Sequence, residues 1–460
     1  MRADPGSFRD RDSKVLYDDR GVLRGLSERG LADWRALESS ALYSRFSESG
    51  QLVGSELIDA DSSSRNGWAG LLRHERIPFV SYPYEWTFSM LKDAALLQLD
   101  LTLAALDEQL MLKDGSPYNV QWRGTQPVFI DIGSFEPLRP GEPWVAYRQF
   151  CMLFLFPLLL EAYRGLSFQP LLRGSLEGIE PDVCRRMLSL RDLIRPGVLG
   201  NVVLHSRLQR TRGGGSGGLR RELEAAGFST QMIRTNVTRL RKLVSGLQPA
   251  SIDSSWSEYG QTNTYSSAEV ELKGEVVRQV ASAVQPELVW DIGCNDGRFS
   301  RIAAQHAKYT LALDADRATV ERLYRSLVAD DIDSILPLVL DVADPSPALG
   351  WRNLERKTLP ERGRPDLILC LALVHHLSIT RNVPLGSFVE WLRSLDSAAL
   401  IEFPDPDDLM VRRLLEAKRV GTHDDYTRGN FEQLLAEQFT IETSTAVSPS
   451  RTIYFARPRQ

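Results

Sequence analysis

The sequence predicts two domains of different class, an N-terminal α+β domain and a C-terminal α/β domain built on a mostly parallel sheet. Three observations carry this prediction. The chain has 460 residues, more than the roughly 100–200 of a single domain. Its composition breaks at 213–218, GGGSGG, where glycines that lose much entropy on ordering mark a linker. Beyond that break, short apolar runs alternate with helical patterns, as in a parallel sheet covered on both faces.

Composition narrows the function classes. Hydrophobic residues are 43% of the chain and charged residues 25%, the balance of a globular protein rather than a disordered one. The 55 basic and 60 acidic side chains leave a net charge of −5, so no global basic field draws the chain to nucleic acid or an anionic membrane. Cys151, Cys184, Cys294 and Cys370 lie far apart with no C-x-x-C pair, which reads as buried thiols in a reducing compartment. The opening MRADPGSFRDRD is charged with no apolar core behind it, against a signal peptide. The most apolar run, CMLFLFPLLL at 151–160, contains Pro157 and is shorter than the about 18 residues of a membrane span. A buried helix and a cytoplasmic protein without a transmembrane segment are the expectations.

In chain order, KVLYDDRGVLRGL (14–26) reads as a hairpin, ERIPFVSYPYEW (75–86) as a strand leading into a hinge, and 89–112 as a long helix. YNVQW and PVFID, separated by RGTQ, read as a second hairpin, and 144–165 as a buried helix. The first domain is therefore expected over 1–210, with a small lobe at about 1–80 and a helical lobe at about 81–210. A Gly-rich loop and helical connector follow at 211–250, then the second domain at 251–460. In the latter, ELVWDIG, YTLALD, ILPLVLD, PDLILCLALV and SAALIEF read as strands. RFSRIAAQHA and RATVERLYRSLV read as helices between them, and FTIETSTAV with RTIYFAR as an edge hairpin.

DIGCNDG, Asp291 to Gly297, joins the first of these strands to a helix. In an open α/β sheet that turn lies at the ligand-binding edge, and its glycines let backbone approach the ligand. Gly293 and Gly297 are spaced G-x-x-x-G rather than as a dinucleotide fingerprint, and Asp291 two residues earlier suits a cationic ammonium better than a pyrophosphate. These residues resemble motif I of the class I S-adenosylmethionine-dependent methyltransferases, over about 256–460. The resemblance implies a Rossmann-like fold and S-adenosylmethionine as cofactor, with Asp291 near its methionine part and Gly293 and Gly297 in the glycine turn. It implies Asp314 at the ribose and Asp341 near the adenine. Trp256, Tyr259 and Tyr265 either fold over the cofactor as a lid or pack against the sheet or the first domain. For the acceptor side, His375, His376, Glu402 and Asp405 are the candidates, because an imidazole titrating near neutrality suits proton removal.

Within 110–136, Asp114, Asn119 and Asp131 are expected at one edge of the second hairpin, a geometry that holds metal and phosphate. With Pro117 and Gly133 they resemble the protein-kinase catalytic loop and metal-binding triplet. The resemblance implies Asp114 as a base, and Asn119 and Asp131 as magnesium ligands in an ATP site. The N-terminal kinase-like domain departs from that pattern in lacking a glycine-rich loop, and Arg24, with Glu38 as a possible partner, stands where a phosphate-holding lysine belongs; Arg is not a neutral replacement. The leading expectation is a methyltransferase whose kinase-like domain positions or recognises an acceptor, which is a small molecule, glycan or protein. A bifunctional kinase/methyltransferase and a non-catalytic binding protein are the alternatives.

Overall fold

The computed structural model describes residues 1–58, 67–203, 229–250 and 266–459. Two compact units emerge: Met1–Ile252 with Ala348–Arg356, and Asp253–Pro347 with Lys357–Gln460. The glycine run 213–218 and the aromatic trio Trp256, Tyr259 and Tyr265 lie outside the described residues. No helix among the described residues is long and apolar enough to cross a membrane, and all four cysteines are buried thiols.

The first unit opens on a five-stranded sheet of order β1-β2-β3-β5-β4. Its strands are β1 (Arg2–Ala3), β2 (Ser13–Asp18), β3 (Gly21–Leu26), β4 (Ser55–Leu57) and β5 (Gly70–His74). All their pairings are antiparallel. Ser27 and Ser40 cap the helices α1 (Glu28–Glu38) and α2 (Ala41–Glu48) by accepting first-turn N–H bonds, satisfying donors that a helix start leaves orphaned. No strand forms over 75–86: β5 ends at His74, and Pro78 and Pro83, which have no N–H for a ladder, lead into a single turn at Pro83–Glu85. Helix α3 (Phe88–Asp107) stops short of residue 112 because Gln109 adopts a left-handed φ of 56°. Leu110–Leu112 is instead β6.

Strands β7 (Val120–Arg123) and β8 (Gln126–Phe129) form the second hairpin, and β9 (Phe135–Pro137) pairs with β6. The apolar run 147–164 is a buried helical stretch. Its turn widens over Cys151–Leu155 ahead of Pro157, which lacks an N–H to donate. It ends in α4 (Phe156–Arg164), closed by Gly165 in the left-handed region. Helix α5 (Thr230–Gly246) buries Ile233, Val237, Leu240 and Val244 on one stripe and pairs Arg234 and Arg241 with Asp107 and Asp100 of α3. Ala348–Arg356, inside the span the sequence assigns to the second domain, packs with this unit. The Arg356 guanidinium lies 3.9 Å from the centre of the Tyr118 ring, and Glu355 pairs with Arg9 at 2.8 Å. No local pattern in the sequence announces that packing.

The second unit is a Rossmann-like seven-stranded sheet, ordered β12-β11-β10-β13-β14-β16-β15. Its strands are β10 (Leu288–Ile292), β11 (Tyr309–Asp314), β12 (Ile335–Val339), β13 (Leu367–Cys370), β14 (Ala398–Pro404), β15 (Phe439–Ser448) and β16 (Arg451–Pro458). The first five run parallel, while β16 is antiparallel to both β14 and β15. Helices α6 (Ser267–Val284) and α7 (Arg298–Ala304) supply Val277, Val280 and Ala303 to a core with Val289, Leu369, Leu400 and Phe455. On α8 (Arg317–Ala329), Leu323 and Leu327 pack with Ala312 and Ile335 in a second cluster. Strands covered on both faces need continuous apolar residues, which is why the segments read as uninterrupted runs.

Candidate functional site

The chain leaves β10 toward β11 and β12, then crosses back to β13 and β14, so the sheet reverses its winding between β10 and β13. Ligands of open α/β sheets bind outside the carboxyl ends of the strands at such a point. A cavity of about 440 Å³ opens there, walled by Ile292–Asp296 after β10, Asp314–Asp316 after β11, Leu340–Val342 after β12 and Leu371–Leu373 after β13.

Gly293 and Gly297 have φ of 78° and 77°, values that L side chains adopt only with strain. A Cβ at Gly297 would also come 2.5 Å from Leu323 Cδ1. The turn is tied to the next strand: Gly293 and Cys294 donate to the Leu313 carbonyl, and the Asn295 N–H donates to Asp314 Oδ2 at 3.0 Å. Asp314 Oδ1 accepts from the Asp316 N–H at 2.8 Å. Burial pushes the Asp314 carboxyl above the usual carboxylate range, against these stabilising hydrogen bonds. Asp341 lines the same cavity and is ion-paired with Arg381.

Asp291 and Gly297 do not line the cavity. Asp291 is buried behind the turn, accepting from Ser300 Oγ at 2.5 Å, and burial pushes its pKa up to about 7. A carboxyl whose folded pKa exceeds its unfolded value near 3.8 contributes stability that is complete below the unfolded pKa and is lost as pH rises through the folded one. Thermal melts of Asp291→Asn are therefore expected to match the wild type near pH 4 and to exceed it at pH 8. An equal pH profile for both proteins would contradict the assignment.

At the other end, His375 and His376 line the cavity with ring centres 4.1 Å apart. Burial holds His375 well below the usual imidazole range and His376 at about 4. Both are neutral at physiological pH, so the expectation of an imidazole titrating near neutrality is corrected by desolvation of the charged form. Glu402 does not line the cavity. It is fully buried on β14, with Oε2 2.6 Å from Lys273 Nζ, Oε1 3.5 Å from Arg451 Nη1, and a hydrogen bond from the Ala372 backbone. Burial raises the Glu402 pKa and lowers that of Lys273. Arg451 also makes a two-pronged contact with Asp408, Nε to Oδ2 at 2.7 Å and Nη2 to Oδ1 at 2.9 Å. Asp405 is taken up by Arg428, whose Nε donates to it at 2.9 Å.

Lys273 and Arg451, which both line the cavity, escaped the sequence reading. Lys273 did leave a trace, since it interrupts the apolar stripe Val270, Val277, Val280 on α6 at helical spacing.

In the first unit, Ser134 links two of the three expected residues: Asn119 Nδ2 lies 3.4 Å from Ser134 Oγ, which donates to Asp114 Oδ2 at 3.3 Å. Asp131 is held by Arg24 at 2.9 Å, and Arg24 also reaches Ser13 and His74, so its acidic partner is Asp131 rather than Glu38. The cavity beside Gly133 measures about 10 Å³, about one water probe, and no group of three His, Cys, Asp or Glu that could hold a metal occurs among the described residues. This arrangement gives no support to a site for ATP and magnesium. S-Adenosylmethionine fits the second unit's cavity, whose volume lies in the range of small-molecule sites, with acids at one end and the glycine turn bordering it.

No family model matches the chain. The nodulation protein NoeA of Rhizobium meliloti (strain 1021) is 32% identical over 456 residues, covering 98% of this chain and 94% of the relative. Among solved structures, the N-methyltransferase NodS from Bradyrhizobium japonicum WM9 is similar at 13% identity, covering 42% of this chain and 98% of its own, with a TM-score of 0.30. Magnesium protoporphyrin IX methyltransferase (ChlM) from Synechocystis PCC 6803 with bound SAH matches at 16% identity, 49% and 94% coverage and a TM-score of 0.31.

Proposed function

The chain belongs to the family of the nodulation protein NoeA, and we propose that its second unit is an S-adenosylmethionine-dependent methyltransferase acting on an oxygen or nitrogen of an acceptor. The observation that carries this reading is the coupling of the glycine turn to Asp314 across β10 and β11, at the mouth of a cavity of about 440 Å³. Both Asp314 oxygens accept a backbone N–H, and each keeps a lone pair for a ribose hydroxyl. Asp341 stands at the edge available to the adenine, and the Gly293 backbone borders the methionine arm. Bound S-adenosylmethionine would supply an electrophilic methyl group on a sulfonium. The protein's task is then to hold the acceptor in line behind it, which supplies much of the rate. His375 and His376, neutral, would orient that acceptor by hydrogen bonding.

The first unit, read as kinase-like, would position or recognise the acceptor. The Arg24–Asp131 pair and the lack of space beside Gly133 favour this over phosphoryl transfer. The relationship with NoeA covers nearly the whole chain, so both units belong to the shared design, and nodulation is the proposed setting.

Calorimetry with S-adenosylhomocysteine on the intact chain tests the reading. One binding site per chain is the expected result. No binding at about 1 mM, a standard free energy weaker than about 4 kcal/mol, removes the proposal.

A further inference from the structure

The cavity of the second unit is lopsided in charge. Asp296, Asp314, Asp316 and Asp341 line it from the loops after β10, β11 and β12, whereas Lys273 and Arg451 line it where α6 and β16 meet β14. Arg298 and Arg381 complete the charged lining, and Arg381 is paired with Asp341. The counter-charges of the cationic end face elsewhere: the Glu402 and Asp408 side chains are 0% and 6% exposed, and neither lines the cavity. The two ends are also far apart along the sheet. Asp314 ends β11 and Arg451 begins β16, four strand positions away in the sheet order, or about 19 Å at the usual spacing between strands.

Stability does not account for this cluster. Burying ions is expensive, and well-packed apolar residues of similar volume often replace a buried ion pair at no loss. Lys273 nevertheless occupies a position on the apolar stripe of α6, beside a ligand-sized cavity. His375 adds a second observation: it is 1% exposed, it lines the cavity, and its Nδ1 has no hydrogen-bond partner among the described residues. A buried polar atom left unmatched costs free energy that a bound group would recover.

We propose that Lys273 and Arg451 form the recognition site for an anionic oxygen group, a carboxylate or an equivalent oxyanion, carried by the methyl acceptor. The inference rests on the methyltransferase reading of the same cavity and deepens it by naming the class of acceptor. A cation edge backed by buried carboxylates attracts an anion without leaving a net charge stranded when the site is empty. The neutral imidazoles fit the same acceptor, because an oxyanion arrives without a proton to remove. A protonated amine would meet two cations.

An oxyanion at this edge has two sources, the acceptor or the methionine carboxylate of the donor, and one set of measurements separates them. The double variant Lys273→Met/Glu402→Gln removes the pair together, so no lone charge stays buried, and its melting curve checks that it folds. Affinities for S-adenosylhomocysteine and for 5′-methylthioadenosine, which lacks the amino-acid arm, are measured for it and for the wild type. Both are expected to change less than about threefold. A selective loss of S-adenosylhomocysteine binding assigns the cations to the donor and overturns the proposal. Saturation-transfer NMR on the S-adenosylhomocysteine-loaded chain then compares benzoate with benzylamine, probes of equal size and opposite charge. Benzoate is expected to bind about tenfold more tightly, the worth of one charge-assisted hydrogen bond, with the preference lost in the double variant. Equal binding, a preference for benzylamine, or no binding of either overturns the proposal. Absence of S-adenosylhomocysteine binding to the wild type is a different result, and defeats the methyltransferase reading instead.

Discussion

Replacing Glu402 with leucine is expected to cost about 3–5 kcal/mol of stability, the penalty for breaking a buried ion pair from one side. Glu402 is fully buried and is the shared partner of Lys273 and Arg451. Removing it leaves the Lys273 ammonium without its carboxylate in a site of low polarity. Arg451 keeps Asp408, so the loss falls mainly on the lysine. For a unit of this size each kcal/mol is worth roughly 2–4 °C, and the melting midpoint of Glu402→Leu should fall by roughly 10 °C. Lys273→Met/Glu402→Leu removes both charges and should recover most of that fall, because the methionine fills the lysine's apolar track on α6 without an ion to solvate. Calorimetric melts of the two variants decide the point. A single variant as stable as the wild type would mean that the charges contribute no coupling. A double variant no better than the single would mean that packing, not charge, dominates.

The same cluster shows where sequence reasoning stops. The strands of the second unit were legible because a sheet covered on both faces demands continuous apolar residues, and ELVW, YTLAL and LILC meet that demand locally. The glycine turn was legible for a similar reason, since its chemistry sits within a few consecutive residues. Glu402 stood out as a polar residue in an apolar strand, but its partner Lys273 lies 129 positions away, and no local pattern distinguishes a buried counter-ion from a group facing substrate. His375 and His376 were legible as a pair. Their protonation was not, because desolvation depends on what the tertiary fold stacks over them. In the first unit, the hydrophobic pattern carried the α3 prediction past Asp107, where the left-handed conformation of Gln109 ends the helix. The Arg24–Asp131 pair likewise joins residues far apart in the sequence, which no local pattern announces.

Asp314→Ala is expected to weaken S-adenosylhomocysteine binding by about a hundredfold or more while leaving the fold intact. In the reading proposed here the carboxylate accepts two ribose hydroxyls, and hydrogen bonds to a charged group contribute about 1.5–3 kcal/mol each. It also orders the turn, since Asn295 and Asp316 donate to its two oxygens. The variant therefore loses both the ligand's partners and part of the preorganisation of the loop. Stability without ligand should change little or rise, because burial already works against the charged form of this side chain. The ligand-induced rise in melting temperature should vanish, as linkage requires when affinity is lost. Asp314→Asn is the sharper control: an amide keeps one accepting oxygen but presents an NH2 to the second partner, so it should fall between the alanine variant and the wild type. Affinity within threefold of the wild type in Asp314→Ala would remove the ribose assignment, and with it the strongest link between this cavity and a nucleoside-bearing methyl donor.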